Sequence, residues 1–165
     1  RTSFKIFDSK TVNKLHHDLT TYKPDTCVIC GDLIHAQSKH IKSQLTWFLE
    51  ELHSYSTRFI LTKGNHDPKN ISDNLAPIHC VDHYCIDDII CCHYPDTFKK
   101  SITGHIHPGI AIKKGRISRY FKAFALHADH IICPSYGEHT GMMTGLSKHY
   151  QFYYIDKKTV KKWNP

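Results

Sequence analysis

Four short runs hold the residues best suited to chemistry: Gly31-Asp32, Gly64-Asn65-His66-Asp67, a lone His93, and Gly104-His105-Ile106-His107. Carboxylate, carboxamide and imidazole together form a donor set for divalent metals, and it suits Mn, Fe or Zn without choosing among them. The chain has 15 His in 165 residues, scattered rather than gathered in one tract, which raises the question of a metal. Taken singly, each residue has an ordinary reading. Asp32 can cap a helix or make a turn, Asn65 can sit in a turn at positive φ, and His93 can simply end a strand. Taken jointly, each of the four runs ends a strand-like segment, respectively TCVIC, RFILT, IICC and SIT. In open α/β sheets ligands bind beyond the carboxyl ends of the strands, so four such loops can meet in one site although they lie as far apart as positions 31 and 107.

These loops need a scaffold, and the flanking patterns supply one. Val12, Leu15 and Leu19 recur at helical spacing behind Asp8, a candidate N-cap, giving a helix from there to Tyr22. Thr26 to Cys30 reads as a strand. From His40 to Tyr55, Ile41, Leu45, Phe48, Leu49 and Leu52 line one helical face. Arg58 to Thr62 is again strand-like. This α-β-α-β order predicts a sheet with parallel strands covered by helices. After Pro77 the pattern turns to hairpins. IHCVDHYCI and IICC flank Asp87-Asp88, AIK and RISRYF flank Lys114-Gly115, and HYQFYYID and TVKKW flank Lys157-Lys158. Helices early and hairpins late predict two sheets packed face to face with helices outside.

At this length, with 40% hydrophobic and 22% charged residues, the chain is expected to form one domain and is not globally disordered. No apolar run approaches the ~20 residues of a membrane span, and the basic start RTSFKIFDSK has no apolar region behind it. Seven Cys, several inside apolar runs, do not suggest a disulfide framework. A cytoplasmic, reducing setting is therefore expected. Lys and Arg outnumber Asp and Glu by 22 to 15, for a net charge of +7, and only four of the basic residues are Arg. That balance favours phosphate-bearing partners without naming one.

Several other candidates are weaker. Cys27 and Cys30 have CxxC spacing but read as part of a buried strand. Strand alternation across IHCVDHYCI would split Cys80, His83 and Cys85 between two faces. Cys91 and Cys92 read as core, and His16 and His17 as ordinary helix positions. His139 is a candidate to line the site through its loop. The Tyr-rich run at 150 to 154 reads as a sheet strand in preference to a base-stacking platform.

The runs GD at 31–32, GNHD at 64–67, His93 and GHIH at 104–107 occur in the order found in calcineurin-like metallophosphoesterases, which the chain resembles from about Ser9 to Leu146. GHIHPGI followed by CPSYGEHTG further resembles the Icc-like branch that contains the DNA-ligase-associated phosphoesterases. The chain departs from that branch at Cys133, Ser135 and Tyr136. The resemblance implies the four-layer αββα sandwich of the metallophosphoesterase type and a single domain over 1–165. It also implies two divalent metal ions, manganese first, with iron or zinc as alternatives. Two such ions ~3.5 to 4 Å apart clamp a phosphate and make a shared water nucleophilic. Asp32 would bridge them, Asn65, His93 and His105 would complete one ion, and His107 would serve the other. His66 would stabilise developing charge or protonate the leaving oxygen, and Asp67 would orient its loop.

The implied function is metal-dependent hydrolysis of phosphate esters, with a phosphodiester, in nucleic acid, as the first substrate class to test. If the substrate is a polynucleotide, Lys-rich segments such as Lys113 to Arg119 are expected to reach its backbone. Two alternatives stay open: a scaffold that keeps the fold without turnover, and a basic nucleic-acid-binding protein whose His cluster stores metal. A DNA ligase and a helicase enter as partners through the subfamily resemblance alone. Relatives open with a strand ending in Asp-x-His, which is missing here. The chain is therefore expected to be N-terminally incomplete, to lack the first strand of the fold and to hold the second ion weakly.

Overall fold

The computed structural model describes residues 9–34, 41–69, 75–95 and 100–163, and for residues 41 and 42 the backbone only. The FKIF run and the Asp8 cap lie outside the described residues, as does the side chain of Ile41.

The predicted α-β-α-β order becomes α1 (Ser9–Tyr22), β1 (Thr26–Ile29), α2 (Ile41–Leu52) and β2 (Arg58–Thr62). With β3 (Ile78–Val81), these strands form a three-stranded parallel sheet in the order β1-β2-β3. Both helices cover one face of it. Leu15 and Leu19 of α1 and Leu45, Phe48, Leu49 and Leu52 of α2 pack against Phe59 and Leu61. Ile60 and Thr62 point to the opposite face of β2 and are equally buried, so this sheet is covered on both sides. Burial on both faces explains why its strands read as continuous apolar runs rather than alternating ones.

The remaining strands are β4 (His83–Ile86), β5 (Ile89–Cys92), β6 (Ser101–Thr103), β7 (Pro108–Lys114), β8 (Ile117–His127), β9 (His130–Ile132), β10 (Met143–Thr144), β11 (Gln151–Asp156) and β12 (Thr159–Trp163). They make a second, nine-stranded sheet in the order β10-β7-β8-β9-β6-β5-β4, with β11 paired to β8 and β12 to β11. Its core joins Ile110, Ala123, Ala125, Ile132, Phe152 and Tyr154, with Trp163 packed against them. Two sheets plus helices give the mixed α/β architecture expected. Among the described residues, no helix is long and apolar enough to cross a membrane.

All three hairpins form. Asp87, Gly115 and Lys157 take φ values of 52°, 63° and 56° at their turns. The second turn is Gly115-Arg116, one residue later than the pattern suggested. Lys114 pairs with Ile117, which places glycine in the first central position, where positive φ costs it nothing. The larger difference concerns IHCVDHYCI, which is not one strand. It breaks at Asp82, so β3 extends the first sheet and β4 opens the second. Lys63 holds the break through its backbone N–H to Val81 O and its ammonium 3.9 Å from Asp82. Cys80 and His83 are therefore divided between sheets, not between the faces of one strand.

Candidate metal centre

β1 is parallel to β2, and β5 is parallel to β6. Their carboxyl ends come together, two from each sheet, so the site lies where the sheets meet rather than along the edge of one. Its centre is His93, 2% exposed. Nδ1 of His93 lies 2.9 Å from Cys30 O. A carbonyl can only accept, so Nδ1 carries a proton, and in the neutral ring Nε2 is the nitrogen that presents a lone pair. Around Nε2 stand Asn65 Oδ1 at 3.0 Å, His105 Nδ1 at 3.0 Å and Asp32 Oδ2 at 3.4 Å. Asp32, His93 and His105 can each offer a ligand atom, with these atoms within 4.8 Å of one another.

Each of these groups can turn an electron pair on a common point, and a cation is what such an arrangement accommodates. With metal–ligand bonds of ~2.1 Å, neighbouring ligand atoms of one ion sit ~3.0 to 3.4 Å apart, as here. The described residues therefore fit a metal ion.

The loops are strained and tightly packed where they form this site. Asp32, His105 and His107 all take positive φ, 54°, 62° and 52°, a conformation that Asp and His adopt more readily than most side chains. Gly31 has φ 81°, and a Cβ there would lie 2.2 Å from His93 Nδ1. A Cβ at Gly64 would lie 2.2 Å from Asp32 Oδ1. These two glycines let the loop backbones reach the donor atoms.

Asp67 does its work from behind the site. Its buried carboxylate accepts N–H bonds from Asp32 and Gly64 through Oδ2, both 2.9 Å, and from Ile34 through Oδ1, 3.0 Å. It thereby ties the loop after β1 to the loop after β2. Asp32 Oδ1 accepts the His66 backbone N–H at 2.9 Å, a second tie between the same loops. Cys30, beneath the site, has its thiol pushed up to about 12, by burial first and by neighbouring Cys groups second.

A cleft of about 670 Å³ opens beside these donors, lined by Asp32, His66, His105, Ile106, His107 and the strip Thr140–Thr144. His66 and His107 thus share the cleft with Asp32 and His105. His139 is not among the lining residues, although the next five positions are. Met143 N–H bonds to His107 O at 2.9 Å, and β10 pairs with the start of β7, which draws that strip against the site. Sequence reasoning missed Tyr94. Its ring lies 4.9 Å from that of His93 and 4.7 Å from that of His105, half exposed at the rim. The only signal was its place directly after His93.

A family model described as calcineurin-like phosphoesterase matches residues 7–163. No curated protein matches the sequence. Among solved structures, the crystal structure of Pseudomonas putida nuclease MPE is similar, with a TM-score of 0.72 and 20% identity, over 97% of this chain and 82% of that one. At that identity the likeness concerns the fold.

Proposed function

The chain belongs to the calcineurin-like phosphoesterase family, a family of metal-dependent phosphoester hydrolases, and from that premise we propose that it cleaves phosphodiesters in polynucleotides. The observation that carries the reading is the convergence of Asp32, Asn65 and His105 on the lone pair of buried His93, beside an open cleft. In this proposal Asp32, Asn65, His93 and His105 hold one divalent ion, and Asp32 with His107 contributes to a second, manganese being the first metal to test. When bound, such ions neutralise phosphate oxygens and turn water into a nucleophile at neutral pH.

The remaining roles belong to the chain itself. His66 lines the cleft next to Asp32 and supplies a proton to the leaving oxygen or hydrogen-bonds the charge that develops there. Asp67 is a positioning residue, since its oxygens are engaged by backbone N–H groups. The strip Thr140–Thr144 forms the wall against which a substrate lies. Residues 1–165 act as one domain in this reading. Seven free thiols fit a reducing, cytoplasmic setting. The nuclease title of the similar structure belongs to that protein, and it makes nucleic acid the first substrate to try. A DNA ligase and a helicase are the partners that subfamily likeness suggests, open to test by co-purification.

The deciding experiment is reconstitution with Mn, Fe or Zn, followed by assay on a bis-aryl phosphodiester and on a labelled oligonucleotide. Turnover that requires added metal and falls on chelation is expected with both. Stoichiometric metal binding without turnover of either would overturn the enzymatic reading in favour of a scaffold.

A further inference from the structure

The chain's surplus positive charge is concentrated in one place. The β7–β8 and β11–β12 hairpins carry nine of the 22 Lys and Arg but one of the 15 acidic residues, Asp156. The rest of the chain has 13 against 14, so the net +7 arises in these two hairpins. They are neighbours. β11 runs antiparallel to β8, with Tyr154 opposite Ala123, and β8 runs antiparallel to β7, so both hairpin turns project from the same end of the sheet. The Asp156 carboxyl is held below its usual range first by its hydrogen bond from Lys161, and the charges of Lys157 and of Arg119 on the other hairpin add to this. Lys113, Lys114, Arg116, Arg119, Lys157 and Lys158 are exposed. Lys122 differs, since its ammonium is given to the carbonyls of Ser135 and Gly137.

Aromatic groups share one face of this sheet with Lys113, while Lys114 and Arg119 point to its other face. Phe124, Tyr153 and Lys162 lie directly opposite one another across β8, β11 and β12, hence on one face. Tyr120, four residues back along β8, points the same way and is 62% exposed. The Lys162 ammonium sits 5.9 Å from the centre of the Tyr153 ring. Cations that follow a phosphate backbone, interleaved with rings on which bases stack, are the means by which proteins hold single strands.

We infer that the turn end of the two hairpins binds a single-stranded polynucleotide, with phosphates on the Lys and Arg around the turns and bases on Tyr120, Tyr153 and Phe124 of one face. The choice of polynucleotide rests on the function proposed above, whereas the binding does not depend on turnover. β7 links this face to the cleft, because Pro108 follows His107 directly and Lys114 lies six steps further on, roughly 20 Å of strand. At no less than the ~3.4 Å per phosphate of a strand in a duplex, about six nucleotides at most are needed to span both.

The test is fluorescence anisotropy of a labelled 20-nucleotide DNA without added metal, so that the strand is not cut, as a function of salt. The variant K113Q/K114Q/R116Q/R119Q should bind at least tenfold more weakly. Its log–log salt slope should be shallower by ~0.7 for each phosphate that the variant no longer neutralises. K157Q/K158Q should show the same in smaller measure, and both should turn over a bis-aryl phosphodiester like wild type. Wild-type affinity in both variants would overturn the inference. So would equal affinity for duplex, equal affinity for a dinucleotide, or tighter binding to phosphatidylserine vesicles than to the 20-mer. If diester turnover is absent while the binding losses appear, the enzymatic reading falls and this face stands.

Discussion

Asp67 offers the sharpest test of how the loops hold the site. Its carboxylate accepts three backbone N–H groups, from Asp32, Ile34 and Gly64, at 2.9 to 3.0 Å. Asp67→Asn keeps the size but replaces one acceptor oxygen with an NH2 that faces an N–H. If the amide oxygen takes the Oδ2 place, Asp32 and Gly64 keep a weakened partner and Ile34 N–H confronts a donor. Two buried donors left facing one another, at ~1 to 3 kcal/mol each, set the expected loss at about 2 to 6 kcal/mol. With an m-value of ~2 kcal/mol per molar for urea, the unfolding midpoint should drop by about 1 to 3 M. The effect should not stop at stability, since Asp32 is held at φ 54° by this contact and relaxes towards ordinary backbone without it. Manganese titration should then show weaker binding in the variant under conditions where it remains folded. A midpoint within a few tenths of a molar of wild type, with unchanged metal affinity, would leave Asp67 as an ordinary turn residue that holds nothing in place.

Three other outcomes follow from the same geometry. His66→Ala should keep its bound metal while turnover falls by roughly 10² to 10⁴, whereas His105→Ala should lose metal; the opposite pattern of metal analysis would reverse the assigned roles. Gly31→Ala puts a Cβ against the His93 ring at φ 81°, so a loss of about 2 to 5 kcal/mol and a fall in Tm of at least about 5 °C are expected by calorimetry. The thiol of Cys133 is pushed up to about 11 and that of Cys27 is raised, in both cases chiefly by burial. These thiols ionise in the unfolded chain first, so stability should be flat below pH 9 and decline as pH rises from 9 towards 11, by up to about 1.4 kcal/mol per pH unit for each thiol. Urea midpoints that hold steady from pH 8 to 10.5 would contradict this.

Much of the framework was legible because it rests on local signals. Leu45, Phe48, Leu49 and Leu52 share a helical face and do pack as one, and the turns at Asp87-Asp88 and Lys157-Lys158 fall where the polar pairs interrupt the strands. The four chemistry-bearing loops could be named too, since Gly, Asp, Asn and His after apolar runs mark strand ends whatever lies around them. What local pattern cannot carry is the choice of sheet. HCV and HYC read as one alternating run, and only the pairing of β3 with β2 and of β4 with β5 shows that the chain changes sheets at Asp82. Likewise, no spacing reveals that Asp67 reaches back 35 residues to Asp32, that Tyr94 lies against both His93 and His105, or that two distant hairpins pool the chain's positive charge. Residue types and the local elements on which they ride are legible along the chain, because helix and strand periods and turn chemistry act over a few residues. That Asp32, Asn65, His93 and His105 face one point is visible only in three dimensions, because that convergence depends on long-range strand pairing and on burial, which bring together atoms the chain keeps far apart.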